Sequence, residues 1–460
     1  MNSLKKIKYL QKMCGSFFKK INFHKYCQKN YNMKKIKFWN HIHSIEPFGN
    51  IPDIINIKIS EYNDVKRFVL ILPGVFPEAF SAGPNTAFRF AAEIAKMGYD
   101  ILCISLQYQA CSEEVFRKHL ISSLRIAENV ASRFNISDMT RPITLCHGDV
   151  ICATASWTLS SAVKMAKKTG STYPMYFIQD CEPLFLAWGP GHAELMEGYA
   201  ENLLPVINTG SLADMLFNLG TGSFSERGFR EKALVFQPSV DRTLFYPEPK
   251  KSGKRVLFVY TRFGSTEQRN MYQLALEAIS RAADAGLLSP DEWELHCYGG
   301  SGHESIVFSS GLEAQMLPSL DMASYAKEIR QASLVLYLVL SPHTGYMPLE
   351  AAVCGVPVIT NTYLNKSAGY LKNISPLIIP AKPTLDGVAR ALHATLSSMK
   401  EDSVKYRGMK NVNQGLIPLT WEDSFASIMP KVREWLQLKG VPNQPEGKDR
   451  DNNMTERQQG

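Results

Sequence analysis

The sequence predicts an α/β protein built as two doubly wound parallel sheets, and three observations carry that prediction. Short apolar runs rich in branched residues alternate with helical stretches from residue 67 to about 239. The same alternation restarts at residue 254. Between the two sets, residues 241–253 read DRTLFYPEPKKSG, a break rich in proline and lysine. Strands buried on both faces are written as continuous apolar runs, and their alternation with helices is the signature of parallel sheets covered on both sides. Two Rossmann-like domains facing a cleft follow from this pattern.

In the first set, RFVLILP (67–73) is the opening strand, SAGPNTAFRFAAEIAKMGYDI holds the next helix, and DILCISL (100–106) returns as a strand. PITLCHGD (142–149), PMYFIQD (174–180), LPVINT (204–209) and ALVFQPS (233–239) supply further strands. The second set opens with KRVLFVYTR (254–262), continues through a helix at about 267–283, EWELHCYGG (292–300) and a helix near 322–331, and ends with PLIIPA. Within it, SLVLYLVL is followed by SPHTGYMPLEAAVCGVPVIT (341–360). Pro348 suits a first helical turn, and Gly355 followed by Pro357 suits the helix end, so this stretch reads as strand, loop, short helix and strand. Loops at the carboxyl ends of parallel strands are where such sheets bind ligands. A last helix is expected at about 420–438, after both sets.

The resulting divisions are an arm (1–50), a first domain (51–245), a second domain (246–415), a C-terminal helix (416–438) and a polar, disordered tail (439–460). A chain of 460 residues with 45% hydrophobic content can bury two ordinary cores. Nine cysteines are scattered without a CxxC pair, several inside apolar runs, which fits free thiols in a reducing cytosol. The net charge of +8 belongs to the arm, since residues 1–40 hold eleven lysines and no Asp, Glu or Arg. Leu4, Ile7, Leu10, Cys14, Phe17, Phe18 and Ile21 recur there at helical spacing. The arm is either a basic amphipathic helix on an anionic membrane surface, making the protein peripheral on the cytoplasmic face, or a solvated extension. Nucleic acid is not an expected partner, because the body carries no second basic patch.

Two stretches carry a family resemblance, YFIQDCEP (176–183) and SPHTGYMPLE (341–350), together with the boundary FQPSVDRTLFYP. They resemble GT-B-fold glycosyltransferases of family 4, and most nearly the bacterial rhamnosyltransferases of cell-surface polysaccharide assembly. The resemblance covers about residues 65–438. It implies transfer of a sugar, rhamnose or another deoxyhexose, from a nucleotide-diphosphate sugar to a growing glycan or lipid-linked glycan. No metal and no cofactor beyond that co-substrate is implied.

Residue chemistry fits the same reading. Glu350, in a first helical turn, can accept hydrogen bonds from both ribose hydroxyls, or is only a first-turn glutamate. The amides around Gly345, Tyr346 and Met347 can turn toward a phosphate. Arg262 at a strand end and Arg269 with Asn270 at a helix start can converge on a diphosphate, where guanidinium forks bind bidentately. His343 is a sugar contact or a loop histidine bonded to backbone. On the opposite side, Gly83 permits close approach, and Asn85 and Thr86 can donate to an acceptor or cap a helix. Asp180 is a general base for the acceptor hydroxyl or a cap, with Glu182 beside it. Two positions depart from the family pattern: the first Glu of E-x7-E is Pro342, and the lysine expected near Ser319 is missing. A GT-B-fold accessory protein without turnover is therefore the alternative.

Overall fold

The computed structural model describes residues 57–60, 66–106, 109–140, 142–171, 173–249, 253–262, 268–299, 305–401 and 412–439. The arm and the tail, with the membrane and disorder expectations attached to them, lie outside the described residues. Among the described residues no helix is long and apolar enough to cross a membrane.

The strands of the first part are β1 (Ile57–Ser60), β2 (Arg67–Leu72), β3 (Asp100–Ser105), β4 (Phe134–Asp138), β5 (Ile143–Cys146), β6 (Val150–Ala153), β7 (Met175–Ile178), β8 (Leu204–Asn208) and β9 (Leu234–Phe236). Among the described residues seven of them form one sheet in the order β4-β3-β2-β6-β7-β8-β9. Every neighbouring pair in it is parallel. Successive residues of β2 point to opposite faces, so Phe68, Leu70 and Leu72 enter one apolar core and Val69 and Ile71 the other. Both faces being covered is the reason the strand is apolar throughout.

The second part holds β10 (Arg255–Tyr260), β11 (Trp293–Tyr298), β12 (Ile306–Val307), β13 (Glu313–Met316), β14 (Leu334–Tyr337), β15 (Val358–Asn361) and β16 (Ile378–Ala381). Their order is β12-β13-β11-β10-β14-β15-β16, parallel except for the β12–β13 pair. Leu257 and Val259 face one core and Phe258 the other. In each sheet the chain runs outward from a central strand and then reverses, at β2/β6 and at β10/β14. Those reversals open crevices at the carboxyl ends of the strands.

Three elements differ from the sequence expectation. The run 142–149 splits: β5 pairs only with β1, and β6 takes the place in the main sheet. The cause is a turn in which Gly148 adopts φ 88° and buried Asp149 accepts from the Cys146 amide at 2.8 Å and from Arg67. The helix expected at 267–283 begins as a 3-10 turn, Gln268–Asn270, and restarts as Tyr272–Asp284 after Met271 at φ 46°. The C-terminal helix is two helices, Trp421–Ala426 and Met429–Lys439, because Pro430 cannot continue the backbone ladder of the first. Phe425, Ile428, Val432, Trp435 and Leu436 pack into the first domain's core beside Phe90, Phe177 and Phe236. The seven described cysteines are free, and all but Cys111 are buried.

Candidate functional site

The carboxyl end of β14 leads into a turn that is pinned from below. Asn361 accepts from the Val339 amide at 2.7 Å and donates to the Val339 carbonyl at 3.0 Å. The Ser341 hydroxyl accepts from the His343 amide at 3.0 Å, and the Gly345 amide donates to His343 Nδ1 at 2.8 Å. His343 is buried, and burial drives its ring down to about 4, so the ring is neutral with its proton on Nε2. Gly345 sits at φ 85°, and a Cβ there would lie 2.5 Å from the Tyr337 hydroxyl, so only glycine fits.

The helix Tyr346–Val353 starts from this glycine and carries Glu350. Glu350 is 8% exposed and accepts from the Tyr325 hydroxyl at 2.7 Å. Burial pushes its carboxyl up to about 7, and the tyrosine hydrogen bond offsets part of that rise. Tyr325 stacks near Tyr298, and Tyr260 near Tyr337, with ring centroids 5.1 and 5.0 Å apart. Arg262 is exposed just beyond β10, against the Tyr298–Gly299 strand end. Asn270 is buried. Met347 turns its side chain into the core, which leaves its backbone amide for any ligand.

Arg269 and Asp180 are brought together, although the sequence placed them on opposite sides with separate tasks. Arg269 Nη1 donates to Asp180 Oδ2 at 3.0 Å, and its guanidinium lies 3.8 Å from the centre of the Phe185 ring. Asp180 Oδ1 accepts from the Ser341 hydroxyl at 2.7 Å and from the Cys181 amide at 2.9 Å. Both carboxylate oxygens are engaged, so Asp180 is not a waiting base in this arrangement. It is the first-domain end of an ion pair that joins the two domains. The Arg269 carbonyl also accepts from the Leu340 amide at 2.8 Å, which ties the 3-10 turn to the β14 turn.

Other residues expected to meet an acceptor instead make contacts within the protein. Thr86 donates to the Ala82 carbonyl at 2.8 Å, so the Tyr346 hydroxyl, 2.5 Å away, donates to Thr86 and accepts from Asn208 at 3.0 Å. Asn85 is buried, donating to the Phe80 carbonyl and bonding His119 Nε2 at 2.7 Å. It is not the cap, a position held by Ser81. The Gly83 carbonyl accepts from Gln179 Nε2 at 2.7 Å. Glu182 is corrected most strongly. It is 4% exposed, accepts from the Tyr176 hydroxyl at 2.8 Å, and burial pushes it up to about 8. A side chain so enclosed is a core group of the first domain.

Lys366 escaped the sequence reading, since one lysine in a loop carries no periodicity or motif. It is completely buried, donates to the Val339 carbonyl at 3.1 Å, and feels the charge of Asp180. Burial brings its amine down to about 7. Its neighbour Asn365 donates to the Ser211 carbonyl at 2.6 Å, and the Ser211 hydroxyl donates to the Pro342 carbonyl at 3.0 Å. The position where the resembling family carries a glutamate thus faces the first domain. Gln179 Oε1, Asn208 Oδ1, Arg269 Nε, His343 Nε2 and Asn365 Oδ1 are buried without a partner among the described residues. All five sit on residues at the carboxyl ends of the two sheets or in the loops that follow. Buried polar atoms are normally paired, so a hydroxyl-rich ligand suits this junction.

The class follows from this architecture. Two parallel-sheet domains with their strand ends meeting at one junction form the GT-B fold, and solved structures of that fold superpose on the chain. Anabaena Alr3699/HepE in complex with UDP-glucose is 12% identical with a TM-score of 0.55, covering 81% of this chain and 99% of that one. WaaG, a glycosyltransferase involved in lipopolysaccharide biosynthesis, is 14% identical with a TM-score of 0.50, covering 78% and 99%. The particular likeness comes from the domains themselves. Residues 67–210 match the WsaF N-terminal domain and residues 255–393 the WsaF C-terminal domain. Each of the two domains is thus similar to the corresponding WsaF domain, and together the matches span more than half of the chain. The O-antigen biosynthesis protein RfbC of Myxococcus xanthus is 29% identical over 288 residues, which cover 61% of this chain and 20% of that protein. The chain therefore spans about a fifth of the length of this curated relative.

Proposed function

We propose that the chain is a glycosyltransferase of cell-surface polysaccharide assembly, moving a sugar from a nucleoside-diphosphate donor to a growing glycan. The observation that carries this is the cluster of unpartnered buried polar atoms where the strand ends of the two GT-B domains meet, beside Glu350 and two arginines. The WsaF domain matches, the O-antigen relative and the UDP-glucose complex of HepE support the same reading. Rhamnose or another deoxyhexose is the donor sugar favoured by the resemblance of YFIQDCEP and SPHTGYMPLE.

In this reading Glu350 holds the ribose hydroxyls, while Arg262, Arg269 and the amides at Gly345–Met347 hold the diphosphate. Asn270 and His343 flank the sugar. The bond from the sugar's anomeric carbon to the phosphate oxygen breaks, and a bond from that carbon to the acceptor oxygen forms. The acceptor's proton needs a base, and the negative charge on the departing diphosphate needs cations. Both needs meet at the Arg269–Asp180 pair. When Arg269 turns to the diphosphate, it stabilises the leaving group and releases Asp180 Oδ2 to take the proton. Gly83, Asn85 and Thr86 build the wall behind the acceptor and do not grip it.

The test is a transfer assay with dTDP-rhamnose, UDP-glucose and GDP-linked sugars on short synthetic glycan acceptors, with nucleotide release measured in parallel. Transfer from one of these donors is the expected result. Tight binding of a donor with no transfer to any acceptor would leave a binding protein and overturn the enzyme reading.

A further inference from the structure

Trp188 stands apart from every other large apolar side chain described. It is 91% exposed, whereas Trp293 and Trp435 are buried in the two domains and Trp421 is partly covered. An indole left in water forfeits the stabilisation that burying its large apolar area would give. Its ring is held, however. It lies within 15° of parallel to the His192 ring, with centroids 5.6 Å apart, and His192 Nδ1 is 2.8 Å from the Pro183 carbonyl. That bond fixes the imidazole's orientation, with the proton on Nδ1. The helix Pro190–Glu197 starts two residues after Trp188 and carries His192.

The placement is as telling as the exposure. Phe185, three residues before Trp188, packs against the Arg269 guanidinium, and Arg269 pairs with Asp180. Three residues span at most about 11 Å of chain, so Trp188 belongs to the same first-domain segment that meets Arg269 through Phe185. Charge decides what it can meet. From residue 169 to residue 226 the sequence has no Lys or Arg, and Glu194 and Glu197 are exposed on the adjoining helix. The segment's own charge therefore disfavours anionic lipid, and Arg269, the cation it meets through Phe185, is committed to the Asp180 pair. A neutral pyranose suits it, because the C–H face of the ring is apolar and its slightly positive hydrogens meet the negative face of the indole.

We propose that Trp188, backed by His192, is a stacking platform for a sugar ring of the acceptor glycan. This rests on the transferase reading for its location, but it can be tested without turnover. The full-length protein and its Trp188→Ala and Trp188→Phe variants would be titrated calorimetrically with p-nitrophenyl rhamnoside, glucoside and galactoside, and with UDP and dTDP. Where transfer is measurable, acceptor KM and kcat would be read on the same glycosides. Expected is a loss of about tenfold in affinity, or a matching rise in acceptor KM, for the alanine variant, the scale of one aromatic contact. The phenylalanine variant should recover most of it, with kcat and nucleotide affinity unchanged within about twofold. Glycoside binding that weakens in the alanine variant upholds the platform even if no donor is ever transferred. Unchanged glycoside affinity and KM overturn it while leaving the transferase reading intact. Wild-type protein that binds none of the glycosides, or a variant that instead loses sedimentation with phosphatidylglycerol vesicles, overturns it as well.

Discussion

Among the described residues each domain buries one glutamate against one tyrosine near the carboxyl end of its sheet, and the two pairs are alike in chemistry. Glu350 accepts from Tyr325 at 2.7 Å and Glu182 from Tyr176 at 2.8 Å. Burial raises both carboxyls, to about 7 and about 8. What differs is the surroundings. Glu350 lies in a helix that starts from a left-handed glycine beside four tyrosines and exposed Arg262. Glu182 lies among Tyr176, Tyr199, Cys181 and the charge of Asp180, all but the last in the core. A buried carboxylate is therefore no sign of a ligand site. A turn started by a positive-φ glycine, as at Gly345, is the feature that sets the surroundings of Glu350 apart from those of Glu182.

The largest effect is expected at Asp180, the residue that joins the two regions. Asp180→Asn keeps the size of the side chain and removes both the proton acceptor and the charge opposite Arg269. Turnover should fall by roughly 10²–10⁴-fold, while nucleotide affinity holds or rises because Arg269 is freed. Steady-state kinetics with parallel calorimetry would check this, and normal turnover would reduce Asp180 to a strut.

The next effect is on stability. A carboxyl raised by folding is favoured in its protonated form, so its contribution is full below the unfolded value near 4.5 and is lost as pH climbs to the folded one. For Glu182 that window runs from about 4.5 to about 8, with a slope of up to about 1.4 kcal/mol per pH unit. Glu182→Gln, which keeps an acceptor for Tyr176, should flatten the fall between pH 6 and 8. Denaturant melts at several pH values would measure it, and an unchanged slope would show that Glu182 is not the titrating group.

Much of the fold was legible in the sequence, for physical reasons, but the contrast between Glu350 and Glu182 was not. Strands covered on both faces are long apolar runs, so β2, β10 and β14 stand out, and the glycine and prolines around Glu350 mark its turn. The polar strand β13, Glu-Ala-Gln-Met, has no such run, and β5 and β6 are divided by a single turn that composition does not announce. Residues with motif neighbours, such as Glu350 and Tyr346, could be singled out from the sequence as candidates. Lys366 was not, and the Arg269–Asp180 pairing joins residues 89 apart in sequence through tertiary contact alone.

A smaller effect probes the seam between the regions. Tyr346→Phe removes the hydroxyl that bridges Thr86 and Asn208 and should cost about 1 kcal/mol of stability, the net worth of such a bond. Thermal or denaturant unfolding would read it. A loss near 3 kcal/mol would mean that the domains close mainly through this one hydroxyl.

Where the nucleotide binds separates the roles of the two glutamates most directly. Titrating UDP and dTDP into wild type, Glu350→Ala and Glu182→Gln by calorimetry places it. Glu350→Ala should weaken the nucleotide that wild type prefers by ~1–3 kcal/mol, the scale of a lost charge-assisted hydrogen bond, and Glu182→Gln should leave it unchanged. Equal affinity in wild type and Glu350→Ala, or a loss in Glu182→Gln alone, would contradict the assignment of the donor to the second domain.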